Sequence, residues 1–542
     1  MRRTARPALA AVVVAGLVAP LGAGADTVST QVLRGVTVPV GFGAGVFAET
    51  PGGLPTSITF GPDERLYATV VDPSFTSSTI VAFDDLGGVA GRPQTVATGF
   101  TTALGLAFGP DGTLYVSDTE DNRGRVVALT DGDGDGAFES SRTLVSNLPN
   151  GQHQTNGMVV GPDGMLYVAN GNATDDGLEC GPEPVNPLEC PAPEVQPWSG
   201  SVLRVDPAWE DVDVQTDVDL GERVEGRLHA DDVLVARGLR NVYDVDLLPS
   251  DPSKLYAWMN GSDDPASSEP LYRTDISDGA VDDMGFPSCL YDPHPNPYPE
   301  PYVGHDHPGN PEPENSSNPA VLEQFGPCAK GTVTRPIAFT TEGHEGITGL
   351  TFERDSGFPA RYDGDLFVAE YGGWWNVNGG QVTGRKVLHV DVDEAGEIVA
   401  QREFMTSQMP MDVVFGPDGA LYVADLGGVV YRVVHLADTP GQVTVEMVNG
   451  QFVPQLVTVP RRTTVSWVNK DTRPHDVKAT QSVVPKVGEP LLRPGSEIDS
   501  PGPLAPGGSH SYTFGDQASA YAYTSSTGAA MRGAIVVAPV DR

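Results

Sequence analysis

The sequence predicts an all-β protein: a six-bladed β-propeller over residues 30–438, followed by a small β-sandwich over 442–538. Two observations carry this. Four segments, FGPDERLYATV from Phe60, FGPDGTLYVSD from Phe108, VGPDGMLYVAN from Val160 and FGPDGALYVAD from Phe415, repeat one pattern of apolar residue, tight turn and alternating strand. Beyond HLADTPGQ that turn no longer occurs, although short alternating strands continue.

The turns have a mechanism. Pro pre-sets φ and Gly supplies a positive φ, so each copy reads as a β-hairpin. Two degenerate copies, LLPSDPSKLYAWMNG from Leu247 and FERDSGFPARYDGDLFVAEYGG from Phe352, complete the six. Apolar strands precede the copies (ALGLAF, PMDVVF) and follow them (RVVAL, VVYRVV), which makes about four strands per repeat. Uninterrupted copies lie about 50 residues apart, the period of a propeller blade. An array of β-sandwiches is the structural alternative, and the regular turn-then-strand signature disfavours it. In 442–538 the strands VTVEMV, LVTVP, TTVSWVN, SYTF and AIVV predict the sandwich.

A chain of 542 residues exceeds one ordinary domain, and 39% hydrophobic with 19% charged residues fits a globular protein. Residues 1–25 read as a cleaved signal peptide: Arg2, Arg3 and Arg6, then ALAAVVVAGLVAPLG, then Ala23-Gly24-Ala25. No apolar run is long enough for a membrane span, so the expectation is a secreted protein, extracellular or periplasmic. In that compartment Cys180, Cys190, Cys289 and Cys328 are expected to form disulfides. Neighbour pairing is the expectation, although sequence alone leaves all three connectivities open. The net charge of −39 argues against nucleic acid, whose phosphates need a basic surface.

TDGDGDGAFES places Asp131, Asp133 and Asp135 at alternate positions, with Gly136 sixth and Glu139 beyond. This is the first half of an EF-hand-type loop and predicts structural Ca²⁺, although Arg142 stands at the twelfth position and no flanking helices are expected. The alternative is a simple acidic turn. His294, His305 and His307 fall in a Pro- and Asn-rich stretch that reads as exposed loop rather than metal site.

A propeller places its ligand site where loops converge over the central channel. His153 lies in NLPNGQHQTNGMVVGPDG just before an inner strand, and Arg240 and Asn241 lie at the equivalent point in VARGLRNVYDVDL. WMNGSDDPASSEPLY, MGFPSCLYD and AEYGGWWNVNGGQVTGRKVLHV follow, the last carrying Lys386. Each alone has a structural reading. In this order they resemble the soluble quinoprotein sugar dehydrogenases, the glucose/sorbosone dehydrogenase family, over nearly the whole propeller.

The resemblance implies a sugar substrate, pyrroloquinoline quinone (PQQ) with Ca²⁺, and an external electron acceptor. It implies His153 as the base that takes the anomeric hydroxyl proton while hydride passes to the quinone. Arg240 and Asn241 would hold the ortho-quinone, Lys386 would pair with the cofactor's acid groups, and the backbone carbonyls of Gly261 and Ser262 would hold Ca²⁺. Two departures stand out. Met409 and Met411 occupy positions where the family has arginines, and Asn172 stands where an acidic partner often orients the histidine.

The last hundred residues resemble a cupredoxin of the plastocyanin/azurin kind, which implies a Greek-key sandwich. FVPQLVTVPRRTTVSWVNKDTRPHDV puts His475 at the first copper ligand, and YAYTSSTGAAMRG keeps Met531 at the last. Ser525 replaces the cysteine and Gly528 the second histidine, while His510 lies outside the motif. Without thiolate and second imidazole, copper is not expected.

Three functional readings follow: a PQQ-dependent aldose dehydrogenase, a non-catalytic extracellular propeller that binds carbohydrate or protein, and a Ca²⁺-dependent lactonase. The third needs a carboxylate-rich channel, and His153 with Arg240 and Lys386 is a different constellation.

Overall fold

The computed structural model describes residues 35–120, 123–173, 198–261, 269–286, 334–340, 345–372, 383–436, 441–480, 496–516 and 519–538. The segment read as a signal peptide, the four cysteines, Ser262, His294, His305 and His307 lie outside the described residues.

The recurring turn shows why the repeats fold alike. Gly109 N–H donates to Thr113 O and Gly112 N–H to Gly109 O, with Gly112 at φ 86°. Gly161–Met165 and Gly416–Ala420 repeat the same bonds. The turn aspartate finishes the loop: Asp111, Asp163 and Asp418 each accept the N–H two residues on, at 3.1 Å. The tyrosine four residues after Asp163 or Asp418 donates its hydroxyl back to that carboxylate. One short motif therefore caps its own hairpin and pins the strand that follows.

Six sheets result, each built on four antiparallel strands with the innermost strand first in chain order among the blade's own repeat. The innermost strands are Leu54–Phe60, Gly105–Phe108, Thr155–Val160, Asn241–Leu247, Ile347–Phe352 and Pro410–Phe415. Each touches the next, and the sixth touches the first, so the ring closes. Aliphatic residues such as Leu166, Val168, Leu203 and Val233 fill the space between blades and are buried. The chain closes the ring by a shared blade. The N-terminal strand Phe42–Glu49 pairs antiparallel with Val429–His435 as the outermost strand of blade six.

That strand also has a second partner. Gly43 and Ala44 pair with Val457 and Leu456, so the blade-six sheet runs on into Leu456–Val459, Gly528–Val537 and Ser519–Ser525. A side chain on Gly43 would collide with Pro454, so the two units meet there through backbone. An opposing sheet, Gln451–Val453, Gln442–Val448, Thr464–Asn469 and Ser509–Thr513, completes a sandwich around buried Phe452, Trp467, Tyr523 and Ile535.

Candidate functional site

Because every blade begins with its innermost strand, the segments entering those strands gather at one mouth of the axial channel. They carry His153, Arg240, Glu345–Gly346 and Met409. Below them the channel holds about 310 Å³ and is lined by Asp244, Asp246, Arg354 and Asp412 among others.

His153 and Asn241 flank Gly171. A Cβ on Gly171 would stand 2.5 Å from the His153 Cβ and 3.2 Å from Asn241 Oδ1, so the close approach of the three requires glycine. The structure thus brings His153, Arg240 and Asn241 together, and Asn172 N–H donates to Arg240 O at 2.6 Å. His153 Nδ1 lies 2.8 Å from the carbonyl oxygen of Asn172. Where an acidic side chain often orients the histidine, the Asn172 backbone carbonyl serves, and the Asn172 amide oxygen accepts from Ser199 Oγ instead. Burial, aided by the Arg240 charge and opposed by that carbonyl, pushes His153 down to about 3. The imidazole is neutral at pH 7.

The sequence reading missed three carboxylates. Glu269, Glu345 and Glu370 are each 0% exposed. Glu269 lies beside Arg240 and accepts the N–H groups of Gly346 (3.0 Å) and Glu345 (3.2 Å). Burial raises it to about 8; the Glu345 charge adds to the rise, while the Gly346 N–H and the Arg240 charge oppose it. Lys386 Nζ lies 2.6 Å from Glu345 Oε1 and 3.2 Å from Glu370 Oε2. Glu370 stands well above the usual carboxylate range through burial and the Glu345 charge, with Lys386 opposing. Lys386, expected to meet a cofactor carboxylate, thus has two protein carboxylates already. One signal was available: Glu370 ends the second strand of blade five where Asp118, Asn170, Asn260 and Asp425 stand near the ends of their own.

Gly261 follows the strand Lys254–Asn260 and is buried. Asn260 donates from Nδ2 to Ile347 O at 2.8 Å, while its buried Oδ1 has no hydrogen-bond partner among the described residues. An orphan acceptor beside a backbone carbonyl suits a hard cation such as Ca²⁺.

In the outer turn of blade two, carboxylate oxygens of Asp131, Asp133, Asp135 and Glu139 lie within 4.8 Å of one another. Asp131 accepts Gly134 and Gly136 N–H, and Glu139 accepts Gly132 N–H. In the sandwich, His475, Ser525, Gly528 and Met531 do share a corner. His475 is engaged at both nitrogens, Nδ1 by Thr527 Oγ1 and Nε2 by Asp471 Oδ2, each at 3.0 Å. Ser525 Oγ donates to Asp476, and Met531 Sδ lies 3.1 Å from where a Cβ on Gly528 would stand.

No family model and no curated protein matches the chain. Solved structures do. The iodide structure of a carbohydrate-active enzyme of family AA12 from Trichoderma reesei is 15% identical with a TM-score of 0.55, covering 74% of this chain and 98% of that one. The calcium structure from the same organism gives 15%, 0.56, 74% and 97%. The holo form of the pyranose dehydrogenase PQQ domain from Coprinopsis cinerea gives 16%, 0.55, 74% and 97%. At these identities the likeness is one of fold, an all-β propeller.

Proposed function

We propose that this protein is an exported, PQQ- and Ca²⁺-dependent sugar dehydrogenase that oxidises an aldose at the anomeric carbon and delivers electrons to an external acceptor. The observation that carries the reading is the meeting of His153 and Asn241 across Gly171, with the Arg240 charge beside the imidazole, at the channel mouth. An imidazole acceptor next to a guanidinium and an amide is a donor set that suits an ortho-quinone and a sugar hydroxyl together. PQQ, when bound, supplies the hydride-accepting carbon. His153 Nε2 takes the hydroxyl proton. Arg240 and Asn241 would hold the quinone oxygens, and the Gly261 carbonyl with Asn260 Oδ1 would hold Ca²⁺. The Asp131–Glu139 turn is a second, structural Ca²⁺ site. The sandwich is an emptied cupredoxin, which leaves electron delivery to an outside partner.

A specific observation favours a second reading, the Ca²⁺-dependent lactonase. Glu269, Glu345 and Glu370 at the mouth, with Asp244, Asp246 and Asp412 below, provide the carboxylate-rich channel that chemistry needs. Arg240 and Lys386 offset part of that charge, which ranks it second.

Dye reduction by the mature protein loaded with PQQ and Ca²⁺, over a panel of aldoses, tests both. The dehydrogenase reading predicts turnover that His153→Ala abolishes while PQQ binding persists. Lactone hydrolysis without dye reduction would select the second reading, and neither activity would leave a non-catalytic binding propeller.

A further inference from the structure

Arg385, one residue before Lys386, has a left-handed backbone at φ 60°, a costly conformation for a residue with a side chain. Two hydrogen bonds hold it there. Its N–H donates to Glu370 O at 2.8 Å, and Ser407 N–H donates to its carbonyl at 2.9 Å. The segment around it lies flat on glycines: a Cβ on Gly384 would stand 2.5 Å from Glu345 O and 2.7 Å from Gly372 Cα. A Cβ on Gly372 would stand 2.9 Å from Arg385 Cγ. The side chain therefore crosses Gly372 at the mouth, between the segment entering blade five (Glu345–Gly346) and the one entering blade six (Ser407–Met409).

The guanidinium is half-buried, and no described carboxylate or carbonyl engages it. Its electrostatic neighbour is the Tyr371 phenol, which burial raises and Arg385 pulls back down. This is unusual for its surroundings. The chain has 72 acidic residues to 33 basic ones, and Arg125, Arg354 and Arg432 all pair with aspartates. Arg240 and Lys386 next door face glutamates. A partly desolvated guanidinium with five donors and no acceptor is set for an anion, and its planar fork matches a carboxylate. Two residues from the backbone that anchors it stands Met409, where the family resemblance would place an arginine.

We propose that Arg385 is the carboxylate-binding cation of this mouth, gripping one acid group of a planar polycarboxylate ligand in place of the arginines absent at Met409 and Met411. The inference rests on the PQQ reading, in which that ligand is the tricarboxylate cofactor.

The test compares PQQ affinity of wild type, Arg385→Gln, Arg385→Lys and Arg385→Gln/Met409→Arg, with Ca²⁺ present and the quinone absorbance followed. The expected result is a loss of roughly 10- to 100-fold in Arg385→Gln, part of it retained in Arg385→Lys and regained in the double variant. Binding by Arg385→Gln within about twofold of wild type would overturn the proposal. Benzene-1,3,5-tricarboxylate, which has the acid groups without the quinone, separates the two levels. If wild type binds it in an Arg385-dependent way but ignores PQQ, the anion site stands and the dehydrogenase reading falls. If wild type binds neither, both fall.

Discussion

The Nδ1 atom of His153 lies 2.8 Å from the backbone carbonyl oxygen of Asn172. A carbonyl only accepts, so Nδ1 carries the proton of the neutral ring and Nε2 the lone pair. His153 is thereby a proton acceptor with fixed orientation but low basicity. We expect ¹⁵N NMR of the ligand-free protein to show this tautomer, with a midpoint near 3. An anion bound on Arg240 offsets the charge that, with desolvation, depresses the ring, so the midpoint should rise on ligand binding. A free-protein midpoint near the ordinary 6.5 would contradict the desolvation of this half-buried ring.

The same linkage predicts opposed pH limbs of stability. Glu269 is raised from 4.5 to about 8, so the folded state holds a proton that the unfolded chain releases, and stability is lost as pH rises through that window. Asp412, raised by burial from 3.8 to about 7, acts in the same direction. His153, lowered from 6.5 to about 3, acts oppositely, and stability is lost as pH falls through its window. Urea midpoints of Glu269→Gln relative to wild type should therefore improve steadily from pH 5 to pH 8. Parallel curves for the two proteins would show that Glu269 is ionised throughout.

Lys386 holds two fully buried glutamates apart. Replacing it by Met leaves the Glu345 charge without its cation, and we expect a loss of about 3–5 kcal/mol in chemical denaturation. Adding Glu370→Gln should return a substantial part of it. A loss below about 1 kcal/mol would mean that both carboxyls are already neutral.

The fold was legible because its repeat is local. An aspartate, a glycine and a tyrosine within a few residues of each other build the whole hairpin, so four copies of GPD announce four blades. His153, Arg240 and Lys386 were legible through the order of short motifs. Their partners were not. Glu345 meets Lys386 across 41 residues and Glu269 receives the Gly346 N–H across 77, and nothing in an irregular acidic stretch marks which carboxylate turns inward. Ring closure by Phe42–Glu49 was equally hidden, because its partner lies almost four hundred residues away.

The His475–Met531 corner of the sandwich makes its own prediction. Both nitrogens of His475 are engaged, and Met531 is fully buried. We expect the wild-type protein to show no thiolate-to-copper absorption with Cu(II). Ser525→Cys combined with Gly528→His should gain it, because the thioether already lies against position 528. Failure of that pair to bind copper in a folded protein would show that the corner is not a degenerate copper site.

The most direct measurement is a titration of metal-stripped mature protein with PQQ, with and without Ca²⁺, followed by the quinone absorbance. A PQQ-dependent enzyme with this mouth should show saturable binding, micromolar or tighter, that requires Ca²⁺ and weakens when Arg240 is replaced. No binding at high PQQ, with or without Ca²⁺, would contradict it.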